Sequence, residues 1–89
     1  MMKSKKVEVE VVDGEGLVAL IGKSVLLMCA NYFYAGVLRG VNDVCVLLEN
    51  PQIVYETGVL TNAGFKDAQP LPSEWYVQIA AIESYGVTK

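Results

Sequence analysis

Between Lys23 and Asn50 three runs of β-forming residues follow one another with only short polar breaks, and this spacing constrains the fold more than any other feature. VLLMCA (25–30), YFYAGVLRG (32–40) and VCVLLEN (44–50) predict three consecutive antiparallel strands, joined by tight turns at Asn31 and over RGVND. In the first run Val25, Leu27 and Cys29 share one face and Leu26, Met28 and Ala30 the other. In the second, Tyr34, Gly36 and Leu38 lie on the inward face, opposite Ala35, Val37 and Arg39. A glycine between two inward residues lets a strand bend sharply, or lets a neighbouring backbone approach.

The rest of the chain follows the same idiom. VEVEVV (7–12) alternates valine with glutamate and predicts an additional N-terminal strand within an extension over 1–12. After DGEG, the stretch LVALIG fits one or two helical turns ended by Gly22, or a continued strand. Asn50–Pro51 marks a break, beyond which IVYETG resumes in β form, and residues 61–74, with two prolines and a glycine, predict a long loop. WYVQIAAI (75–82) predicts a strand apolar on both faces, and ESYGV a short last one. So many short strands in a single domain of 89 residues predict a mainly β fold, a small and strongly bent barrel with an N-terminal helical turn over one open end.

Composition narrows the chemistry. Hydrophobic residues make up 53% of the chain, a large share for a domain with so much surface, so part of the apolar area is expected to be covered by another subunit. Histidine is absent, which removes the commonest general base and the commonest zinc ligand. Cys29 and Cys45 sit in apolar runs and read as buried thiols, so no metal or cofactor is expected. Glu74, Asp43 and Glu83 are carboxylates that nothing in the sequence pairs, and an enzyme is not expected. No apolar run is long enough to span a bilayer, and MMKSKK is not followed by the apolar segment of a signal peptide; the expected location is the cytoplasm. A net charge of −3 argues against gripping long phosphate backbones by charge alone.

Residues 22–50 carry a resemblance. A glycine and an apolar strand (Gly22, then Val25, Leu27, Cys29) precede the pattern Tyr34, Gly36, Leu38, a polar turn and VLLEN. This resembles the first motif of the Sm-like superfamily, closest in flavour to its bacterial Hfq branch. The resemblance implies a five-stranded, strongly bent Sm-like (SH3-like) barrel after an N-terminal helix. It also implies a cyclic homo-oligomer, roughly five to seven copies closed head to tail, that binds single-stranded RNA near its pore. The family's acidic turn position falls on Asn42, with Asp43 beside it, and its base-contacting asparagine and stacking aromatic fall on Val46 and Val44. WYVQIAAI stands where members carry an arginine–glycine or lysine–histidine pair, so the second motif departs from the family.

Two functions are therefore expected. One is a ring-forming protein that binds single-stranded RNA through Asn42, Asp43, Trp75 and Tyr76, where aromatics stack on bases and polar groups read their edges. The other is an interaction module that assembles through its barrel without nucleic acid. In both, Trp75, Val77, Ile79, Ala81 and Tyr85 form the interface between copies.

Overall fold

The computed structural model describes residues 16–88; the expected strand over 7–12 and the KSKK segment lie outside them. Six antiparallel strands form one sheet: β1 (Ser24–Cys29), β2 (Phe33–Val41), β3 (Cys45–Glu56), β4 (Asp67–Pro70), β5 (Trp75–Gln78) and β6 (Ile82–Val87). Their order is β4-β3-β2-β1-β6, with β5 also paired to β3, and the sheet does not close on itself through hydrogen bonds. The helical content among the described residues is two 3-10 turns, Leu17–Leu20 and Ile79–Ala81. No helix among them is long and apolar enough to cross a membrane.

β3 is the spine. Its first half pairs with β5 (Cys45↔Gln78 to Leu48↔Trp75) and its second half with β4 (Gln52↔Pro70 to Glu56↔Asp67). Between the halves the strand bends rather than breaks, which corrects the expected interruption at Asn50–Pro51. Asn50 takes a left-handed conformation (φ 50°), which an asparagine tolerates, and the register against β2 slips by one residue there. Pro51 has no N–H to give to the ladder, and a bulge is where a strand can hold it. Gly36 faces this bend, and a Cβ at that position would lie 2.9 Å from the Glu49 carbonyl oxygen. Further bulges place Arg39 on β2, Tyr55 on β3 and Glu83 on β6 out of register.

These bends curl the sheet. Strands lie about 4.8 Å apart, so β5 and β6, four spacings apart along β5-β3-β2-β1-β6, would be about 19 Å apart in a flat sheet. Yet only the 3-10 turn Ile79–Ala81 joins them, and even fully extended the link from Gln78 to Ile82 spans at most about 14 Å. The concave side encloses the main core of Val25, Leu27, Cys29, Leu38, Val46, Leu48 and Val77, with Leu17, Leu20, Tyr34, Ile79 and Ile82 against it. The expected inward face of Tyr34, Gly36 and Leu38 is thus observed. So is the helical turn before Gly22, whose N–H donates to the Leu38 carbonyl oxygen at 2.7 Å.

A second, smaller cluster lies on the outer face. Leu26, Ala35 and Val54 are buried there under Phe65, Met28 and Phe33. Phe65 belongs to the segment 57–66, which folds back over the sheet through glycines at positive φ, Gly58 and Gly64, and the bond from Lys66 N–H to the Thr57 carbonyl oxygen. Two expectations need correction. The expected loop 61–74 contains β4, because β3 extends past Pro51 and offers Gln52–Glu56 as a template. WYVQIAAI is not one strand buried on both faces: pairing with β3 ends at Cys45↔Gln78, and beyond that point the chain turns.

Candidate functional site

The turn 42–44 is built by Asn42 itself. Its side-chain Oδ1 accepts hydrogen bonds from the N–H groups of Val44 and Cys45, each 2.8 Å, an Asx-type turn that asparagine forms readily. Its backbone N–H donates to the Cys45 carbonyl oxygen. Asp43 is exposed beside it. Ile79 N–H donates to the Val44 carbonyl oxygen at 2.9 Å, so the turn adjoins the end of β5. Trp75, at the start of β5, pairs with Leu48, three residues along β3 from the Cys45↔Gln78 pair, about 10 Å away at strand rise. The Asn42 turn thus meets the Gln78–Ile79 end of β5, and Trp75 stands at the other end of that strand.

Alternation sorts β5 cleanly. Trp75 and Val77 lie opposite Leu48 and Val46 on the core side, and Tyr76 and Gln78 lie opposite Leu47 and Cys45 on the outer side. Tyr76 is 68% exposed and Trp75 36%. Val77 is buried in the main core and Ile79 is half-buried against it, so these two expected interface residues are engaged within their own copy. Ala81 is exposed on the 3-10 turn, and Tyr85 on β6 is 43% exposed, with Val87 at 55%. Among the described residues β5 pairs only with β3 and β6 only with β1, so each leaves one backbone edge free.

Charge is sparse around these edges. The basic residues between 16 and 88 are Lys23, Arg39 and Lys66, and two of them are held by acids: Arg39 Nε lies 2.9 Å from Glu49, and Lys66 Nζ 3.4 Å from Glu56. Burial, and secondarily the Glu83 carboxylate, push the Cys29 thiol up. Burial likewise raises the Tyr34 hydroxyl, with smaller contributions from Cys29, Tyr32 and Tyr55. Both cysteines are free thiols, and among the described residues no cluster of histidine, cysteine or carboxylate side chains is placed to hold a metal.

Two features escaped the sequence reading. A cavity of about 470 Å³ opens on the outer face between the 57–66 segment and the β1–β6 edge, with Leu26, Met28, Leu60, Phe65, Ser84 and Gly86 among its lining and no charged side chain. It is created by the fold-back of 57–66, which only the two glycines and Phe65 foreshadow. The second is an exposed pair of tyrosines, Tyr32 and Tyr55, edge to face at 6.2 Å, with Tyr55 Oη bonded to Gln69.

A small, strongly curled, all-antiparallel β module with two free, aromatic-bearing edges is the class these features define. Compared with known protein families, curated proteins and solved structures, the chain gives no match.

Proposed function

We propose that this chain is a ring-forming module of the Sm-like type that works by assembling with its own copies. The observation that carries the proposal is the pair of free edges on β5 and β6, uncharged over Trp75–Gln78 and Ser84–Val87 and bearing Trp75, Tyr76, Tyr85 and Val87 at the surface. Open edges with exposed apolar side chains invite strand addition, and natural proteins usually blunt them with charge or cover them. The topology supports the Sm-like reading. β4 and β5 both lie on β3 and count as the two halves of one interrupted fourth strand, with β6 as the fifth. The 3-10 turn Leu17–Leu20 sits on the core at the N-terminal end. Because the β5 and β6 edges are different surfaces, their union is head to tail and closes into a ring when the rotation allows, at roughly five to seven copies for this type. Sedimentation velocity over a wide concentration range tests this. A closed assembly of fixed mass is expected, and a monomer at every concentration overturns it.

Single-stranded RNA binding is the second reading, and the largely exposed side chain of Tyr76 favours it, since exposed aromatics stack on bases. Asn42 contributes less than its identity promises, because its Oδ1 is engaged in the turn and only its amide N–H groups remain to meet a base. With two of the three described cations paired to acids, binding is expected to be weak, with a shallow salt dependence. Titration of short U-rich and A-rich RNA at two salt concentrations, against wild type and Tyr76→Ala, measures it. No binding, or binding indifferent to Tyr76→Ala, removes this reading and leaves assembly standing.

A further inference from the structure

We infer that the cavity on the outer face is a binding site for an uncharged, mainly apolar small molecule. The inference goes beyond the assembly and RNA readings and depends on neither.

The register builds the floor of the site. One row of outer-face residues runs across four strands: Gln52 on β3, Ala35 on β2, Leu26 on β1 and Gly86 on β6. At the usual strand spacing this row is about 14 Å long. It is low at Ala35, which carries only a methyl group, and at Gly86, which carries no side chain. Taller side chains, Met28 and Val37, flank it on its two sides. A Cβ on Gly86 would meet nothing within 4 Å, so that end of the trough is open.

The segment 57–66 turns the trough into a cavity. Phe65 packs on the Leu26 and Ala35 cluster, and Leu60 and Asn62 continue the wall, giving a space of about 470 Å³. The wall is tied by its own backbone: Asn62 N–H donates to the Val59 carbonyl oxygen at 3.0 Å, and Lys66 N–H to that of Thr57 at 3.3 Å. A largely pre-formed, mostly apolar space of about 300–1,000 Å³ is what small-molecule sites have in common.

The lining also says which molecule fits. It holds no charged side chain, so an ion entering it would leave water without a counter-charge, at a cost that apolar contact does not recover. Phosphates, carboxylates and ammonium groups are disfavoured for that reason, and nucleic acid with them. Apolar contact comes from Met28, Val37, Phe65 and Leu60, the last 53% exposed and therefore carrying area that an occupant would take out of water. The side-chain amides of Gln52 and Asn62 face the same space, and each can donate and accept. They suit a neutral hydrogen-bonding group on the ligand and add no ion to desolvate.

The test uses the full chain and two fluorescent probes that share one aromatic body: N-phenylnaphthylamine, which is neutral, and anilinonaphthalenesulfonate, which adds a sulfonate. Titration of the wild type is expected to show saturable binding of the neutral probe at one site per chain, with a rise in Tm. The sulfonate is expected to bind about tenfold or more weakly, because its charge finds no partner. Gly86→Leu and Ser84→Leu each project a side chain into the cavity from β6 and should weaken the neutral probe about tenfold or more, with the circular dichroism spectrum unchanged. Val44→Ser, which removes an apolar side chain 64% exposed elsewhere on the surface, should leave binding as it is. No saturable binding of the neutral probe, or a sulfonate bound as tightly, overturns the inference on the wild type alone. Binding that survives in a folded Gly86→Leu or Ser84→Leu variant, or that Val44→Ser abolishes, overturns it by placing the probe outside the cavity.

Discussion

Replacing Gly36 with alanine places a methyl group 2.9 Å from the Glu49 carbonyl oxygen, 3.2 Å from Pro51 Cα and 3.3 Å from Leu48 Cβ. Two of these atoms are backbone, so no rotamer change relieves the contact; β2 and β3 must separate at the bend. Overpacking of this kind costs about 1–3 kcal/mol. Against it stands the gain from a less flexible unfolded chain, about 0.4–1 kcal/mol for glycine to alanine. The clash is the larger, and the net loss is about 1–2 kcal/mol. For a domain of this size each kcal/mol moves the midpoint by about 4–8 °C, so the expected fall in Tm is roughly 4–16 °C. Gly40→Ala is the internal control, since its nearest contact would be Leu47 Cβ at 4.0 Å, ordinary van der Waals distance. There the unfolded-state term acts alone, and Tm should hold or rise slightly. Thermal unfolding by circular dichroism, with urea unfolding followed through the single tryptophan, Trp75, reads both variants. Equal midpoints for Gly36→Ala and Gly40→Ala would refute the close approach at the bend.

Asn42→Ala removes two turn hydrogen bonds of 2.8 Å at an exposed site and should cost about 1–2 kcal/mol, while Asn42→Asp, which keeps an acceptor oxygen, should cost much less; equal losses in denaturant midpoint would count against the turn's construction. Ile79→Lys should unfold or severely destabilise the copy rather than merely dissociate an assembly, because Ile79 lies against the main core, and a well-folded monomer by near-UV circular dichroism would contradict that placement. The Cys29 thiol is raised in the folded state, so its contribution to stability is complete below the unfolded thiol value and is lost as pH rises through the folded one. Cys29→Ala should therefore flatten a decline in stability at alkaline pH, and an unaltered pH profile would speak against it. In native labelling Cys45, half-buried, should react well before Cys29, and the reverse order would contradict the burial pattern.

The first three strands were legible because each run carries its own evidence. The alternation about Gly36 places Tyr34 and Leu38 inward without help from the rest of the chain, and Gly22 ends the preceding turn by its own conformational freedom. What was not legible depends on partners distant in sequence. Pro51 reads locally as a breaker, yet it continues a strand because Gly36 leaves room for its backbone across the ladder. DAQP has no β signature of its own and becomes β4 because the second half of β3 offers an unpaired template. WYVQIAAI reads as one apolar strand, but its partner ends at Cys45, and only the register reveals that Ile79 and Ile82 are core while Tyr76 is not. The same non-local cause sets Trp75 about 10 Å along β3 from the end of β5 that the Asn42 turn meets.

The two functional readings make opposite demands on salt, and the charges among the described residues show what each reading would require. A surface that binds phosphates gains by releasing counterions and weakens as salt rises, in proportion to the cations it commits. In the described residues Arg39 and Lys66 are already beside Glu49 and Glu56, and neither belongs to β5 or β6. An edge-to-edge joint through Trp75–Gln78 and Ser84–Val87 commits no charge at all, and its stabilisation comes from backbone hydrogen bonds and apolar area, which moderate salt leaves intact or strengthens. An acidic chain of net charge −3 also repels its own copies weakly at low salt, and screening relieves that repulsion. The assembly reading thus requires association that holds or tightens as salt is raised, in the same conditions under which any RNA contact must loosen. Association that melts away with salt would mean that the charged faces, not the uncharged edges, bring the copies together.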